Sequence, residues 1–521
     1  MEVDFDAVVI GSGIGGLASA AVLAKLGGWK VLVLERHWRL GGFTHTFQRP
    51  TGDGRKWEWD VGLHYVGDLQ AGGRTRKLFD LISEGRLSWA RLPSPFDRFV
   101  YPDLTIDVPD DVDAFQRSLG EHFPTQREGL KRYFAIRRRA DAEMGALIAS
   151  KQLGRAGARR LQALVRHALR PTIEVVRECV DDPKLAAVLL SQWGDYGVRP
   201  SEGAFGVHAA VSAHYDHGAW FPVGGSGAIV EAVAPTIEAA GGALRANVQV
   251  SSILVEEGRA VGVVATERGR EITIRARHVL SNAGASVTYG ELLPNAPPEI
   301  LADLASLPSP PTVATLYLGL REPVTDLGLE GGNVWIFDDY DHDAAIDPLD
   351  GRLGVAYLSF PSARNPRAET HTAEVIVPLP HAFVAKWSNA RWRRRGADYD
   401  ALKARITARI LARLETLAPG FGARVAYHEL STPVTIERFT GHDRGAIYGL
   451  PATPARFAMG WLGARTPMRG LYLTGADVGL LGIAGAAMGG VLAAGVALGG
   501  FGLPALADVL GDPRLGLEDA T

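Results

Sequence analysis

Residues 7–35 read AVVIGSGIGGLASAAVLAKLGGWKVLVLE, and the order of residue types in them is the most informative feature of the chain. A β-branched run, Val8 to Ile10, enters Gly11-x-Gly13-x-x-Gly16. An Ala/Leu-rich stretch follows, and a second apolar run, Val31 to Leu34, ends on Glu35. This order predicts strand, glycine loop, helix, strand and acid. Gly11 permits a tight turn, Gly13 and Gly15 let backbone approach a pyrophosphate, and Gly16 lets the helix pack on the strand. The helix N-terminus offers unpaired N–H groups and partial positive charge to the anion. Glu35 can accept from ribose hydroxyls and would repel a 2′-phosphate. The N-terminal region is therefore expected to bind a dinucleotide.

Two further blocks suggest which dinucleotide. Gly41-Gly42 follows shortly after Glu35. A nicotinamide dehydrogenase has no use for this pair, whereas a longer flavin dinucleotide needs more close backbone. Residues 470–490, GLYLTGADVGLLGIAGAAMGG, read as a strand ending in Thr474-Gly475-Ala476-Asp477, a turn and a small-residue helix. Asp477 is placed to meet a ribityl or pyrophosphate group. A helix N-terminus near Ala486, Ala487 and Met488 would stabilise negative charge on a flavin ring.

With these blocks the chain resembles the phytoene desaturase, carotenoid isomerase and retinol saturase group of FAD enzymes. GGFTHTF (41–47), DVGLHYVG (60–67), FPVGGSGAIVEAV (221–233), HVLSNAGA (278–285) and TGHDRGAIYGL (440–450) resemble the retinol saturase and carotenoid isomerase branch. The resemblance spreads over most of the chain and is weakest over 95–200 and 325–430. It implies an α/β fold, with a Rossmann-like FAD-binding domain of the glutathione reductase/amine oxidase type interleaved with an α+β substrate-binding domain. It also implies non-covalent FAD, with Arg36 beside the ribose acid and Gly62, Leu63 and His64 passing the flavin ring. Val250 would meet the adenine through its backbone, and Asn282 would return the chain into the nucleotide site. The implied substrate is a hydrophobic isoprenoid polyene or other unsaturated lipid.

The remaining sequence constrains the partners. A chain of 521 residues is too long for a single core. The expected division is 1–95, 220–290 and 455–521 for the flavin domain, and 96–219 and 291–454 for the substrate domain. A net charge of −3 gives no general attraction to nucleic acid. The lone cysteine, Cys179, excludes an internal disulfide and a cysteine-based metal site. The start of the chain lacks a basic segment ahead of its apolar run, so no signal peptide is expected and the expected compartment is cytoplasmic. Val478 to Ala507 carries no charge, but its glycines and its place after the GAD turn favour a buried helix over a membrane span. Residues 127–170 hold twelve Lys or Arg against three acids, with Leu161, Leu164, Val165 and Leu169 on one helical face. That pattern suits a peripheral contact with anionic lipid, and equally a solvated helix packed by its leucines.

The chemistry is read from the same blocks. A flavin moves hydride, and a proton must move elsewhere. His64 is a candidate proton shuttle near neutrality, Tyr65 a candidate donor, and Tyr448 either a donor or a pocket wall. The cluster His208, His214, Tyr215, Asp216 and His217 lacks metal-ligand spacing, so no metal site is expected. No second strand-to-helix GxGxxG is present to hold a nicotinamide, which leaves the electron partner open. Saturation and cis/trans isomerisation of a C=C bond are favoured over desaturation. A non-catalytic flavin-fold binding protein is the reading from another class.

Overall fold

The computed structural model describes residues 3–152, 165–329, 331–344, 346 and 351–511. The fingerprint folds as its pattern predicts. Strand Phe5–Ile10 runs into helix Ile14–Gly27, and strand Val31–Leu34 follows. Gly11 has φ +90, a conformation that suits glycine, and Gly28 closes the helix in the left-handed region at φ +64. The helix is buried along nearly its whole length and has no polar face. It is covered by the sheet on one side and by helix Gly482–Ala497 on the other. A Cβ at Gly490 would lie 2.2 Å from the Gly15 carbonyl oxygen, so small residues let these two helices approach.

The parallel part of the first sheet runs Ala243–Arg245, Val31–Leu34, Phe5–Ile10, the second half of Arg270–Ser281, then Leu471–Leu473. Such strands are buried on both faces, which explains their unbroken Val/Leu/Ile character. The first half of Arg270–Ser281 instead pairs antiparallel with Arg259–Glu267, which pairs with Val248–Glu256. The sequence predicts a single strand over 243–255. The structure breaks it at Asn247, φ +57, so that Ala243–Arg245 joins the parallel sheet and Val248–Glu256 joins the antiparallel meander. The corner wraps the acid: the amide of Glu35 donates to the Arg245 carbonyl and that of Val248 to the Glu35 carbonyl, both at 2.8 Å.

The second sheet is built from Val425–Ser431, Val313–Leu320, His371–Pro378, Val355–Ser359, Asn333–Phe337, Asp97–Val100 and Thr105–Val108, in that order. It is antiparallel except where Asn333–Phe337 meets Asp97–Val100. Its alternation sorts two environments. Ala314, Leu316 and Leu318, with Val334, Ile336, Ala356, Leu358, Val375 and Val377, face a core closed by Leu402, Ile406, Ile410 and Leu414 of helix Ala397–Leu417. Thr315, Tyr317, Trp335, Val355, Tyr357 and Ile376 point the other way, into a cavity between the two sheets.

Among the described residues no helix is long and apolar enough to cross a membrane. The uncharged C-terminal stretch is not one span: it forms the largely buried helix Gly482–Ala497 and then, after a turn with Phe501 exposed, enters the helix Gly502–Leu510. Of the basic segment, helix Arg127–Gln152 spends its apolar face internally, burying Leu130, Tyr133, Phe134, Met144 and Leu147. Val165 and Leu169 pack on the core. The described apolar residues of this segment therefore pack internally, while Leu161 and Leu164 lie outside the described residues, as does the chain after 511.

Candidate active site

The cavity measures about 1170 Å³ and one wall of it is mostly backbone. Gly11, Gly13, Gly15, Glu35, Arg36, Gly42, Gly62, His64, Val250, Asn282, Asp477 and Ala486 line it, with Tyr448. The glycines are required by contact. A Cβ at Gly15 would lie 2.3 Å from the Gly475 Cα, one at Gly475 2.3 Å from the Asn282 Oδ1, and one at Gly42 2.9 Å from the Gly13 Cα. Three loops distant in sequence thus meet through glycine, with the Asn282 side chain wedged among them.

Two helices begin at this wall. Helix Ile14–Gly27 starts after Gly13, and helix Gly482–Ala497 after Leu481. Neither has a side-chain cap or an acid in its first turn, so their N-terminal amides and positive ends face the cavity unneutralised. The second helix begins four residues earlier than the sequence suggests. Gly482, Ile483 and Ala486 face the cavity, while Ala487 and Met488, expected there, turn from it and Ala487 is fully buried. Gly16, Gly41, Leu63 and Gly475 likewise stand behind the wall and shape it.

Glu35 carries the loop. Its Oε2 accepts from the Ser12 amide (3.0 Å) and hydroxyl (2.7 Å), and its Oε1 from the His37 amide (2.8 Å). The Ser12 hydroxyl accepts in turn from the Gly41 amide at 2.9 Å. Sequence reasoning misses Ser12, although its place between two fingerprint glycines is a usable signal. Asp477 accepts from the Ala285 amide (2.7 Å) and the Leu450 amide (3.0 Å), tying three loops together at the cavity floor.

The opposite wall is made of side chains. Trp335, Tyr357, Tyr317, Thr315 and Ile376 come from the second sheet, and Trp193, Gly194 and Asp195 from the turn Ser191–Asp195. Tyr448 lines this end, its hydroxyl donating to the Gly194 carbonyl at 3.4 Å. Burial pushes its phenol well above the usual range. At the mouth, Arg49 makes two hydrogen bonds to Glu429, at 2.8 and 3.0 Å.

Two of the expected proton carriers change role. Burial, reinforced by the Arg364 charge and opposed by Asp60, lowers the His64 imidazole to about 4. His64 is therefore neutral near pH 7 and is not a proton donor there. Its Nδ1 lies 3.2 Å from Glu374 Oε2, and burial drives that carboxyl toward its neutral form, so the contact joins two uncharged groups. Tyr65 is not on the cavity wall. It is buried behind it, its hydroxyl donating to Asp195 Oδ2 at 2.9 Å with Asp97 Oδ2 at 3.3 Å. Burial raises Asp97 and Asp60 to about 7. A buried polar layer of Asp60, Glu374, Asp97, Tyr65, Asn333 and Arg364 therefore backs the cavity. No local pattern announces this layer, because its members come from five separate segments.

The histidine-rich segment is structural. The Gly67 amide donates to His214 Nε2 at 2.8 Å, His208 Nε2 lies 3.0 Å from the Leu189 carbonyl, and Asp216 pairs with Arg137 at 2.6 Å. Among the described residues no group of His, Cys, Asp and Glu is arranged to hold a metal ion.

Residues 14–498 match the family of flavin containing amine oxidoreductases. The chain belongs to that family. It is 33% identical to an all-trans-retinol 13,14-reductase of Danio rerio, over 93% of this chain and 84% of the relative. A prolycopene isomerase of an Oncidium hybrid is 26% identical, over 97% and 86%. The fold is shared with the cyclohexylamine oxidase of Brevibacterium oxydans, with TM-score 0.60 and 16% identity over 98% and 99% of the two chains. These findings agree with the resemblance read from the motifs. The protein is a flavin-dependent oxidoreductase.

Proposed function

We propose that the cavity holds FAD along its glycine wall and a polyene along its side-chain wall, and that the protein saturates a C=C bond of that polyene. The observation that carries this reading is the pairing of the two walls in one cavity. It is larger than the roughly 300–1,000 Å³ of an ordinary small-ligand site, as a dinucleotide plus a long apolar substrate would require. The glycine contacts, the two uncapped helix ends and the buried acid Glu35 suit a dinucleotide. Glu35 would hold the ribose, Gly11 to Gly15 and the first helix end the pyrophosphate, Val250 the adenine, and Gly482 to Ala486 the electron-rich edge of the ring. The lone Cys179 is buried in helix Thr172–Cys179 and does not line the cavity, which suits non-covalent attachment.

Bound there, a flavin supplies two-electron hydride chemistry. The chain's own part is to exclude water from the polyene with Trp335, Tyr357, Tyr317 and Ile376, and to hold it in line. Isomerisation is the second reading, favoured by the prolycopene isomerase relative. Cofactor released by denaturation and identified by mass tests the first half of the proposal, with FAD expected. Incubation of dithionite-reduced protein with all-trans-retinol and with carotenes, read by chromatography and mass, tests the second. A product two hydrogens heavier supports saturation, and a geometric isomer of unchanged mass supports the second reading.

The polyene would be collected from anionic lipid at the cavity mouth. Trp38 is 56% exposed there. It stacks on His37 (3.9 Å) and meets Phe439 edge-on (5.4 Å), and Phe439 meets Trp392. Arg36 and Arg39 on either side of His37-Trp38, and Arg391 and Arg393 on either side of Trp392, are exposed, a combination that suits a lipid headgroup layer. Trp38→Ala should weaken co-sedimentation with phosphatidylserine-containing vesicles, and unchanged binding would remove this surface from the proposal.

A further inference from the structure

Reduction of a C=C bond needs a proton as well as a hydride, and the residues singled out in the sequence do not supply one from the cavity wall: His64 is neutral, Tyr65 is behind the wall and Tyr448 is a poorly acidic phenol. The structure offers a carboxyl at that wall. Asp195 ends the turn Ser191–Asp195, lines the cavity and is half-buried. Its turn is fixed on two sides. A Cβ at Gly194 would lie 2.6 Å from Trp335 Cζ3, and one at Gly197 3.2 Å from Tyr448 Cδ2 and 2.5 Å from Pro311 Cβ. Tyr448 lies in the loop whose next residues, Gly449 and Leu450, reach Asp477 on the floor. Asp195 therefore stands beside the junction of the two walls, where flavin ring and polyene would meet.

Its hydrogen bonding defines which oxygen is available. The Tyr65 hydroxyl donates to Oδ2 at 2.9 Å, and no other side-chain hydrogen bond among the described residues reaches the Asp195 carboxyl. Oδ1 is left to carry a proton. The same Tyr65 hydroxyl lies 3.3 Å from Asp97, so two carboxyls share one phenol away from bulk solvent and repel each other when both are charged. The groups facing the pair are Tyr65, Tyr196, Tyr215 at the end of helix Phe205–His214, Tyr357 of the second sheet and Tyr448, together with the Asn333 side chain, which donates to Asp97 Oδ1 at 2.8 Å. Tyr215 stacks on Tyr65 at 4.4 Å. The Arg364 cation, whose charge opposes the rise at Asp97, donates to the Gly331 and His64 carbonyls and the Asn333 side chain.

We propose that Asp195 is the catalytic acid that delivers the proton to the polyene, a proposal that rests on the saturase reading above. The π pair of the C=C bond takes the Asp195 proton on one carbon, and the other carbon takes hydride from the reduced flavin. Two C–H bonds form, the flavin is oxidised by two electrons, and Asp195 is left as a carboxylate that water reprotonates through the cavity. Burial and the neighbouring Asp97 raise the Asp195 carboxyl well above its ordinary value, which keeps the proton in place between turnovers.

The test uses holoprotein with Asp195→Asn, which keeps the Tyr65 hydrogen bond, and Asp195→Glu, which restores an acid. With reduced flavin and all-trans-retinol, Asp195→Asn should slow flavin reoxidation by about 100-fold or more, the usual worth of a general acid. Asp195→Glu should recover part of the rate. Flavin content should be unchanged. The wild-type rate should fall as pH rises through the Asp195 pKa, and Asp195→Asn should lose that dependence. A readout independent of turnover is the infrared difference between wild type and Asp195→Asn at neutral pH, where a protonated-carboxyl band should be lost. A wild-type rate in Asp195→Asn, or no lost band, would overturn the proposal. If the wild-type protein itself leaves every polyene unchanged, the saturase reading fails, and the infrared band still decides whether Asp195 holds a proton.

Discussion

The two walls of the cavity are built from opposite materials. The wall on the parallel sheet is glycine and peptide backbone, brought together where Gly13, Gly15, Gly42 and Gly475 meet with no room for a Cβ. The wall on the antiparallel sheet is large side chains, such as Trp335, Tyr357 and Tyr317, whose strand neighbours pack a separate core. Backbone recognises what every flavin dinucleotide has in common, whereas side chains can change with the substrate. Cofactor binding and substrate choice should therefore separate under mutation.

The largest expected effect attacks the backbone wall. Gly15→Val puts a side chain into the Gly475 Cα, 2.3 Å from the Cβ position. Protein purified from this variant should lack the flavin absorption band. Full flavin occupancy would mean that the wall tolerates side chains, and the contrast between the two walls would collapse.

The next attacks the other wall. Thr315 lies on the cavity face of its strand and is buried, so Thr315→Phe should narrow the substrate channel and leave the glycine wall intact. Flavin content should hold while kcat/KM for a polyene falls at least about tenfold, since even one methylene in an apolar pocket is worth on the order of 1–3 kcal/mol. Loss of flavin in this variant would show that the walls are not separable.

The polar layer behind the side-chain wall gives a pH signature. Asp97 has a folded pKa of about 7 against an ordinary value of 3.8. A raised carboxyl stabilises the fold fully below about pH 4, and that contribution is lost as pH rises toward about 7. His64 works in the other sense: lowered from 6.5 to about 4, it costs stability as pH falls through that window. Asp97→Asn removes the first contribution and leaves that of His64, and by relieving Asp195 of a neighbouring charge it acts there in the same sense. Thermal unfolding should then show the variant gaining on wild type between about pH 4 and 7, and a constant difference across that range would mean Asp97 is ionised throughout. The smallest effect is expected at the mouth. The Arg49–Glu429 pair is 26% and 31% exposed, so Glu429→Gln should cost about 0–1 kcal/mol in unfolding free energy and leave flavin content unchanged.

The contrast between the walls also explains what the sequence could reveal. Gly11, Gly13, Gly15, Glu35 and Asp477 could be read because backbone recognition needs glycine and acid at fixed offsets from a strand and a helix, and those offsets are local. Asp195, Trp335 and Tyr357 could not. Each is one aromatic or acid among many, and the turn at 191–195 meets strands 333–337 and 355–359 only after the chain has folded. His64 and Tyr65 show the limit from the other side. Their motif placed them near the site, but acidity and access depend on burial against Glu374, Arg364 and Asp97, which no local pattern carries. The split at Asn247 was hidden for a similar reason, since both halves read as one strand while pairing at opposite ends of the first sheet.

In the proposed complex one cavity joins a flavin to a polyene so that electrons pass between them. The most direct measurement is an anaerobic single turnover: the photoreduced protein is mixed with all-trans-retinol or a carotene, and flavin spectrum and product are followed together. Reoxidation of the flavin in step with a product two hydrogens heavier is the expected result. A flavin that stays reduced beside an unaltered polyene, across retinoids and carotenes alike, would contradict the account.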